Sequence, residues 1–182
     1  MILLWVVFAA LAAEYRLVER RPTAGPPVVP ARPRFLPLRA QDMREVRLVR
    51  GGRVVVSRRN AGGWTVVEPA GAPVAPDLIA AFANALGEAE EIERVGNADA
   101  DPRAYGLDEG AARVEVVPEA GEPVVVTLGG ANPTGTAVYA RRREAPDVVL
   151  IGRNVGYYED LIFQALSAGR VPAADRDAPV GG

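Results

Sequence analysis

The residues available for chemistry in this chain are carboxylates, hydroxyls, arginines and tyrosines, because its 182 residues include no cysteine and no histidine. Disulfides, thiolate metal sites and histidine general bases are thereby excluded. Adjacent acids such as Asp108 and Glu109 leave a carboxylate-based hydrolase as the catalytic alternative. Ser57 and Ser167 are the only serines, and no triad can be assembled around them. We therefore predict that the protein is not an enzyme and carries no cofactor or metal.

Two segments match ligand-binding loops only in part. Residues 130–136 match a phosphate-binding loop except for its lysine, and a strand rather than a helix is predicted after them. We interpret this segment as a β-hairpin. Asp99 and Asp101 are spaced like the first ligands of a calcium loop, but the later ligands are absent. Neither segment therefore indicates a phosphate or calcium site.

Three aromatic residues are candidate contacts for a glycan or peptide: Trp64, Tyr139 and Tyr157. Aromatic rings offer a large apolar face together with a polar edge, which suits both kinds of ligand. Packing in the core is the alternative for each ring. A surface patch of these rings along a groove would favour the ligand-binding interpretation, and complete burial would remove it.

The charge distribution separates a basic front from an acidic body. All 21 basic residues are arginine, the net charge is −2, and most acids lie after residue 60. A nucleic-acid-binding domain needs a basic face to neutralise phosphates. The acidic body therefore argues against a nucleic-acid partner.

The first 18 residues are predicted to be a membrane anchor or signal segment. The apolar run Met1 to Ala13 contains no charged side chain and ends at Glu14. A cleaved signal peptide and a buried core helix are the alternatives, but the first lacks its basic n-region and the second would show a polar face. Residues 19–43 follow as a proline- and arginine-rich linker, with closely spaced prolines typical of a stiff spacer. The arginines of this flank would hold it in the cytoplasm under the positive-inside rule.

Residues 44–168 are predicted to form one α+β domain with the order βββ-α-ββββ-α, in which antiparallel β-meanders pack against two helices. The glycine pair Gly51-Gly52 and the turn at Asn60 predict the hairpins of the first meander. The first helix is predicted to begin after an N-cap at Asp77, and its apolar stripe continues to Ile92. The second is predicted over residues 155–166. Residues 169–182 are polar and rich in proline and glycine, and they are predicted to be a disordered tail.

The combination of Tyr105-Gly106-Leu107-Asp108 with Leu128-Gly129 and the strand containing Tyr139 resembles the bacterial family called domain of unknown function 4340 (DUF4340). The resemblance covers roughly residues 44–166, and it assigns a structural role to these motif residues. It implies an N-terminal membrane anchor and an extracytoplasmic domain, on the side of the membrane opposite to that favoured by the arginine-rich flank. It also implies an accessory role beside an ABC-type transporter or gliding-motility-like system.

The function expected from these features is that of a membrane-tethered protein of the cell envelope that acts by protein–protein interaction. Residues 1–18 would contact the inner membrane, and an envelope protein would be the partner. The alternative is an envelope domain that binds a glycan or peptide, and the third expectation is the hydrolase. The oligomeric state is left open by the sequence.

Overall fold

The structure is a computed structural model that describes residues 31–97 and 101–169. The predicted anchor at 1–18, most of the linker and nearly all of the predicted tail lie outside the described residues, as does Asp99. The described residues from Arg32 onward belong to one compact unit. Within the described part, neither helix is long and apolar enough to cross a membrane.

Eight antiparallel strands form one sheet, and the predicted α+β class is confirmed. The strands are β1 Met43–Arg50, β2 Arg53–Asn60, β3 Gly63–Glu68, β4 Glu93–Asn97, β5 Ala112–Pro118, β6 Val124–Ala131, β7 Ala137–Arg142 and β8 Asp147–Gly152. Their order across the sheet is β3-β2-β1-β5-β6-β7-β8-β4. The two helices are α1 Pro76–Gly87 and α2 Arg153–Ala168.

Period-two alternation divides the sheet into two faces. Valines and leucines on alternate positions of β1, β5 and β6 join the main core beneath the helices, including Leu48, Val114 and Val126. α1 packs against α2 and β3, and α2 packs against β6, β7 and β8. The opposite face carries a smaller cluster in which Leu107 and Val148 are buried beside Val95, Tyr105 and Tyr139.

The folded domain begins before the predicted boundary at residue 44. Phe35 and Leu36, assigned from sequence to the linker, are buried in the main core, as is Met43. The amide of Phe35 donates to the carbonyl of Ala89 at 2.8 Å, so the incoming chain pairs with the segment after α1. These two residues were assigned to the linker because prolines surround them.

The first helix is shorter than predicted, and an additional strand follows the segment in which its last part was predicted. α1 ends at Gly87, although the apolar stripe continues to Ile92. The amide of Glu91 donates to the carbonyl of Pro33 at 2.9 Å, so the backbone after the helix takes an extended partner. The chain then enters β4, which pairs with β8. The acids after Glu88 therefore do not form a helix face, and this tertiary pairing overrides the local pattern.

The start of α1 also differs from the prediction. Ala75 rather than Asp77 occupies the N-cap, and its side chain makes no capping hydrogen bond. Pro76 takes the first helical position, where its missing amide hydrogen is no loss. Asp77 lies in the first turn, where its negative charge favours the helix dipole.

We expect Gly87→Ala to destabilise the fold by about 1–3 kcal/mol, although alanine is the better helix former. A methyl group at Gly87 would lie 2.6 Å from the backbone nitrogen of Ala40, and backbone has little room to move. The midpoint of urea denaturation measures the change. Asn84→Ala, at an exposed position of the same helix, is the control and should be neutral or stabilising. An equal gain in both variants would contradict the close contact.

Candidate functional site

An open cleft of about 560 Å³ lies between the first half of α2, the loop after Tyr105 and strand β6. Glycines supply much of its surface, and the rest comes from charged side chains, one tyrosine and small or branched apolar side chains, among them Leu128 and Val138. Its charged and aromatic lining residues are Arg50, Asp108, Arg153, Tyr157, Glu159 and Asp160. The glycines in its lining are Gly106, Gly110, Gly129, Gly130 and Gly156.

The Tyr-Gly-Leu-Asp motif forms one wall of this cleft through a tight turn. A short 3-10 helix, Pro102–Tyr105, is capped by the side chain of Asp101, which accepts from the amide of Ala104 at 3.3 Å. Gly106 then adopts a left-handed conformation with φ 64°, which a side chain would strain. Gly106 therefore has a structural role as the residue at which the chain turns, and the chain leaves the turn with Asp108 at the cleft.

The turn lies directly against β6 because two glycines leave room for it. A methyl group at Gly129 would collide with the carbonyl oxygen of Tyr105, and one at Gly106 would lie 2.7 Å from the nitrogen of Gly130. Gly129 and Gly130 belong to β6, opposite the single residue Tyr139, where the register with β7 shifts. Both are therefore strand residues, and the hairpin turn comes after them.

The hairpin itself is formed by residues 132–136. Gly135 takes the positive φ of 66°, and the side-chain oxygen of Asn132 accepts from the amides of Thr136 and Ala137 at 2.9 and 3.1 Å. β7 follows directly. The interpretation of 130–136 as a hairpin rather than a phosphate loop is thus confirmed.

The opposite wall is one face of α2. Arg153, Gly156, Tyr157 and Asp160 recur at three- and four-residue spacing and all line the cleft. A methyl group at Gly156 would lie 2.9 Å from Cγ1 of Val138, so the helix lies close over β7 at this point. Tyr157 is 55% exposed, and its ring meets that of Tyr158 edge-on at 5.5 Å.

A charged cluster closes the inner end of the cleft. One nitrogen of Arg50, Nη1, donates to Oε2 of Glu159 at 2.9 Å and to Oδ1 of Asp160 at 2.6 Å. The guanidinium also lies over the ring of Phe163, 4.5 Å from its centroid. Glu159 is only 4% exposed, and its Oε1 has no hydrogen-bond partner among the residues described. A buried acceptor without a donor is destabilising, which marks this carboxylate as unusual.

Burial raises the pKa of Glu159 from 4.5 to about 7. Asp160 adds to the rise, whereas the positive charges of Arg50 and, less strongly, Arg53 oppose it. Burial dominates because a carboxylate away from water favours its neutral form. Glu159 therefore changes its charge near neutral pH, inside the cleft.

The structure separates the three candidate aromatic contacts. Trp64 is 7% exposed and packs in the main core, so it is not a ligand contact. Tyr139 is half-buried on the opposite face of the sheet, with its ring edge-on to Tyr105 at 5.1 Å. Only Tyr157 reaches the cleft. Of the motif residues, Gly106, Asp108, Leu128 and Gly129 line it, whereas Tyr105 and Leu107 pack in the smaller cluster.

Sequence reasoning missed the charged residues of the cleft, Arg50, Arg153, Glu159 and Asp160. One signal was available for Glu159. It falls on the apolar stripe of α2 with Val155, Ile162, Phe163 and Leu166, all of them buried. A carboxylate on the buried face of a helix is uncommon unless it is paired, so its position pointed to a partner.

We expect Gly129→Ala to destabilise the domain by about 1–3 kcal/mol, and Gly130→Ala to change stability by less than about 0.5 kcal/mol. The first methyl group would collide with the backbone of Tyr105 and lie 3.0 Å from Leu107, whereas the second meets nothing nearer than 3.9 Å. Thermal or urea denaturation of the two neighbours gives the comparison. Equal losses would show that the loop does not press on β6 as described.

Glu159 should make the fold less stable as pH rises from about 4.5 to about 7. In that window the folded protein holds a proton that the unfolded chain has already lost, so stability falls until both states are ionised. Since each unit of pKa difference corresponds to about 1.4 kcal/mol, the stability of the wild type relative to Glu159→Gln should drop by on the order of 3 kcal/mol between about pH 4.5 and about pH 8. Urea denaturation across this range measures it. The control variant, Asp160→Asn, should keep most of the pH-dependent loss of stability. If the difference in stability between the wild type and Glu159→Gln did not change with pH, the raised pKa of Glu159 would be contradicted.

Comparison with known proteins identifies the family. The family model described as Domain of unknown function (DUF4340) matches residues 64–166, which include α1, strands β4 to β8 and nearly all of α2. Arg50 and the first two strands lie outside the matched segment. No curated protein and no solved structure matches the chain. Since the matched segment is more than half of the 182 residues, the chain belongs to the DUF4340 family.

Proposed function

We propose that this protein acts by binding a polypeptide segment of another protein in the cleft between α2 and the Tyr-Gly-Leu-Asp turn. The observation that carries the proposal is the lining of the cleft. Backbone is exposed at several glycines, one tyrosine ring is accessible, and charges of both signs are present. A peptide offers backbone amides, apolar groups and charged side chains, and it can engage all three kinds of surface.

A glycan ligand has less support. Sugars are commonly held by stacking on flat aromatic surfaces, which would require several accessible rings along a groove. Trp64 is buried and Tyr139 lies on the other face, so Tyr157 is the one candidate ring left at the cleft. Of the two ligands in the sequence-based alternative, only the peptide is retained. Binding a peptide of another protein is itself a protein–protein interaction, so it agrees with the leading expectation.

The cellular setting extends the proposal beyond the described residues. We propose that residues 1–18 tether the protein to the inner membrane, with the domain on the extracytoplasmic side. A partner belonging to an ABC-type exporter or a gliding-motility-like system fits the resemblance on which this setting rests. The arginine-rich flank still favours the cytoplasmic side, so the membrane side depends on the family resemblance alone.

The hydrolase stays a prediction. The raised pKa of Glu159 in an open cleft is the observation in its favour, because a general acid must hold its proton at neutral pH. Glu159 and its neighbour Asp160 both form ion pairs with Arg50. This arrangement is explained as well by a ligand-binding site as by a catalytic one. We therefore rank catalysis second.

Filling the cleft should abolish partner binding. We expect Gly130→Phe to reduce partner recovery by at least about tenfold after crosslinking in native membranes, as for loss of a central interface contact. Gly130 is exposed and lines the cleft, and the nearest atom to its Cβ position is the carbonyl oxygen of Tyr105 at 3.9 Å, so a larger side chain can be added there without a backbone collision. The full chain is purified in detergent through a C-terminal tag, and recovered proteins are quantified by mass spectrometry.

Two controls separate blocking from unfolding. Gly130→Ala should recover the partner at the wild-type level, and Thr65→Phe adds the same ring at an exposed position of β3, away from the cleft. Wild-type recovery by a folded Gly130→Phe protein would show that the partner binds elsewhere. The proposal would be overturned if no recovered protein were lost on the Gly130→Phe substitution.

A further inference from the structure

Acidic side chains outnumber basic ones in the lining of the cleft. Asp108, Glu159 and Asp160 supply three carboxylates, while Arg50 and Arg153 supply two guanidinium groups. The same nitrogen of Arg50 serves both Glu159 and Asp160. One donor group shared between two neighbouring carboxylates leaves acceptor capacity unused, because each ionised carboxylate has about four lone-pair sites.

Glu159 presents an acceptor that the protein leaves unmatched. Its Oε1 is buried and has no hydrogen-bond partner in the described part of the chain, whereas Oε2 accepts from Arg50. The terminal torsion of a glutamate is broad, so the carboxylate can turn an oxygen toward the cleft that it lines. A ligand that donates N–H groups would satisfy this oxygen, and a positive charge would offset the repulsion between Glu159 and Asp160.

Tyr157 provides the second element of a cation site. Its ring is 55% exposed and lines the cleft one helical turn before Asp160. A guanidinium or ammonium held near a tyrosine face gains attraction from the ring as well as from neighbouring carboxylates. The edge contact with Tyr158 at 5.5 Å restrains this ring.

Resting on the function proposed above, we propose that the cleft recognises an arginine or lysine side chain of the partner polypeptide. The cationic group lies between Tyr157 and the Glu159–Asp160 pair, while the glycine backbone of β6 carries the adjoining peptide. Arg50 remains in place and orients both carboxylates. The recognised ligand is therefore a polypeptide segment with a basic residue.

An acidic ligand fits these residues less well. The lining has two cations that could bind an anion, Arg50 and Arg153. Arg153 is exposed at the first position of α2 and forms no ion pair with the described residues. Arg50 is already engaged by two carboxylates at 2.9 and 2.6 Å. A ligand carboxylate or phosphate bound there would add a third negative group beside them, which raises its electrostatic cost.

Matched peptides test the charge requirement without altering the protein. The probes are the tripeptides Gly-Arg-Gly and Gly-citrulline-Gly, both acetylated and amidated, so they differ in the charge of one nearly isosteric side chain. Binding to the full chain in detergent is followed through the ¹⁵N amide resonances of Gly130 and Gly156. We expect the arginine peptide to bind at least about tenfold more tightly than the citrulline peptide, and added salt to weaken it.

Side-chain variants locate the site. Glu159→Gln and Asp160→Asn should each weaken the arginine peptide about fivefold or more, whereas Glu88→Gln, an exposed carboxylate outside the cleft, should leave it unchanged. Equal binding of the arginine and citrulline peptides, or shifts of the same resonances by Gly-Glu-Gly, would overturn the inference. The wild-type comparison decides the matter even if Glu159→Gln folds poorly.

The failures of the two proposals are distinguishable. Partner recovery that depends on Gly130, together with no preference for arginine over citrulline, would leave the binding function standing and remove the cationic ligand. An arginine preference at Gly130 and Gly156, without Gly130-dependent recovery of a partner, would show a cation site and remove the proposed protein interaction.

Discussion

The turn at Tyr105–Leu107 lies so close to β6 that no side chain fits between the two backbones. The carbonyl of Tyr105 occupies the place of a methyl group on Gly129, and Gly106 meets the nitrogen of Gly130. This contact places Leu107 and Tyr105 on the outer face of the sheet, where they bury Val148. It also leaves bare backbone along the cleft. The same glycines thus permit the packing and shape the surface of the cleft.

The ion pair between Arg50 and Glu159 joins distant parts of the chain. Arg50 ends β1, and Glu159 lies in α2, beyond the whole second meander. Only Glu159 is buried in this pair, since the side chain of Arg50 is 25% exposed. Burying a charge is expensive, and a pair of this kind adds little net stability compared with apolar residues of similar size. The unmatched Oε1 and the raised pKa of Glu159 show that desolvation is only partly offset here. Such a site is more readily explained by ligand binding than by stability.

The sequence predicted most of the framework because its signals were local. Alternating valines, the Gly51-Gly52 turn and the stripe of α2 each depend on neighbouring residues, and the structure has a strand, hairpin or helix at each. β4 and the early end of α1 were missed because both depend on pairing with distant segments, the strand β8 and the residues near Phe35. Phe35 itself was hidden among prolines. In each case a tertiary contact outweighed a local preference.

The candidate site was less predictable than the fold because its residues come together only through the register of the strands and the packing of α2 on the sheet. Arg50 reaches Glu159 only when β1 pairs with β5 and α2 lies over β6 and β7, and no short motif encodes that arrangement. The recognisable motif instead specifies backbone geometry at Gly106 and Gly129. Glu159 differs, since a carboxylate on an apolar helical stripe already requires a partner or a ligand on physical grounds. Arg50 donates a hydrogen bond to Oε2 of Glu159, whereas Oε1 has no hydrogen-bond partner among the described residues. A bound ligand, as proposed above, would supply that missing donor.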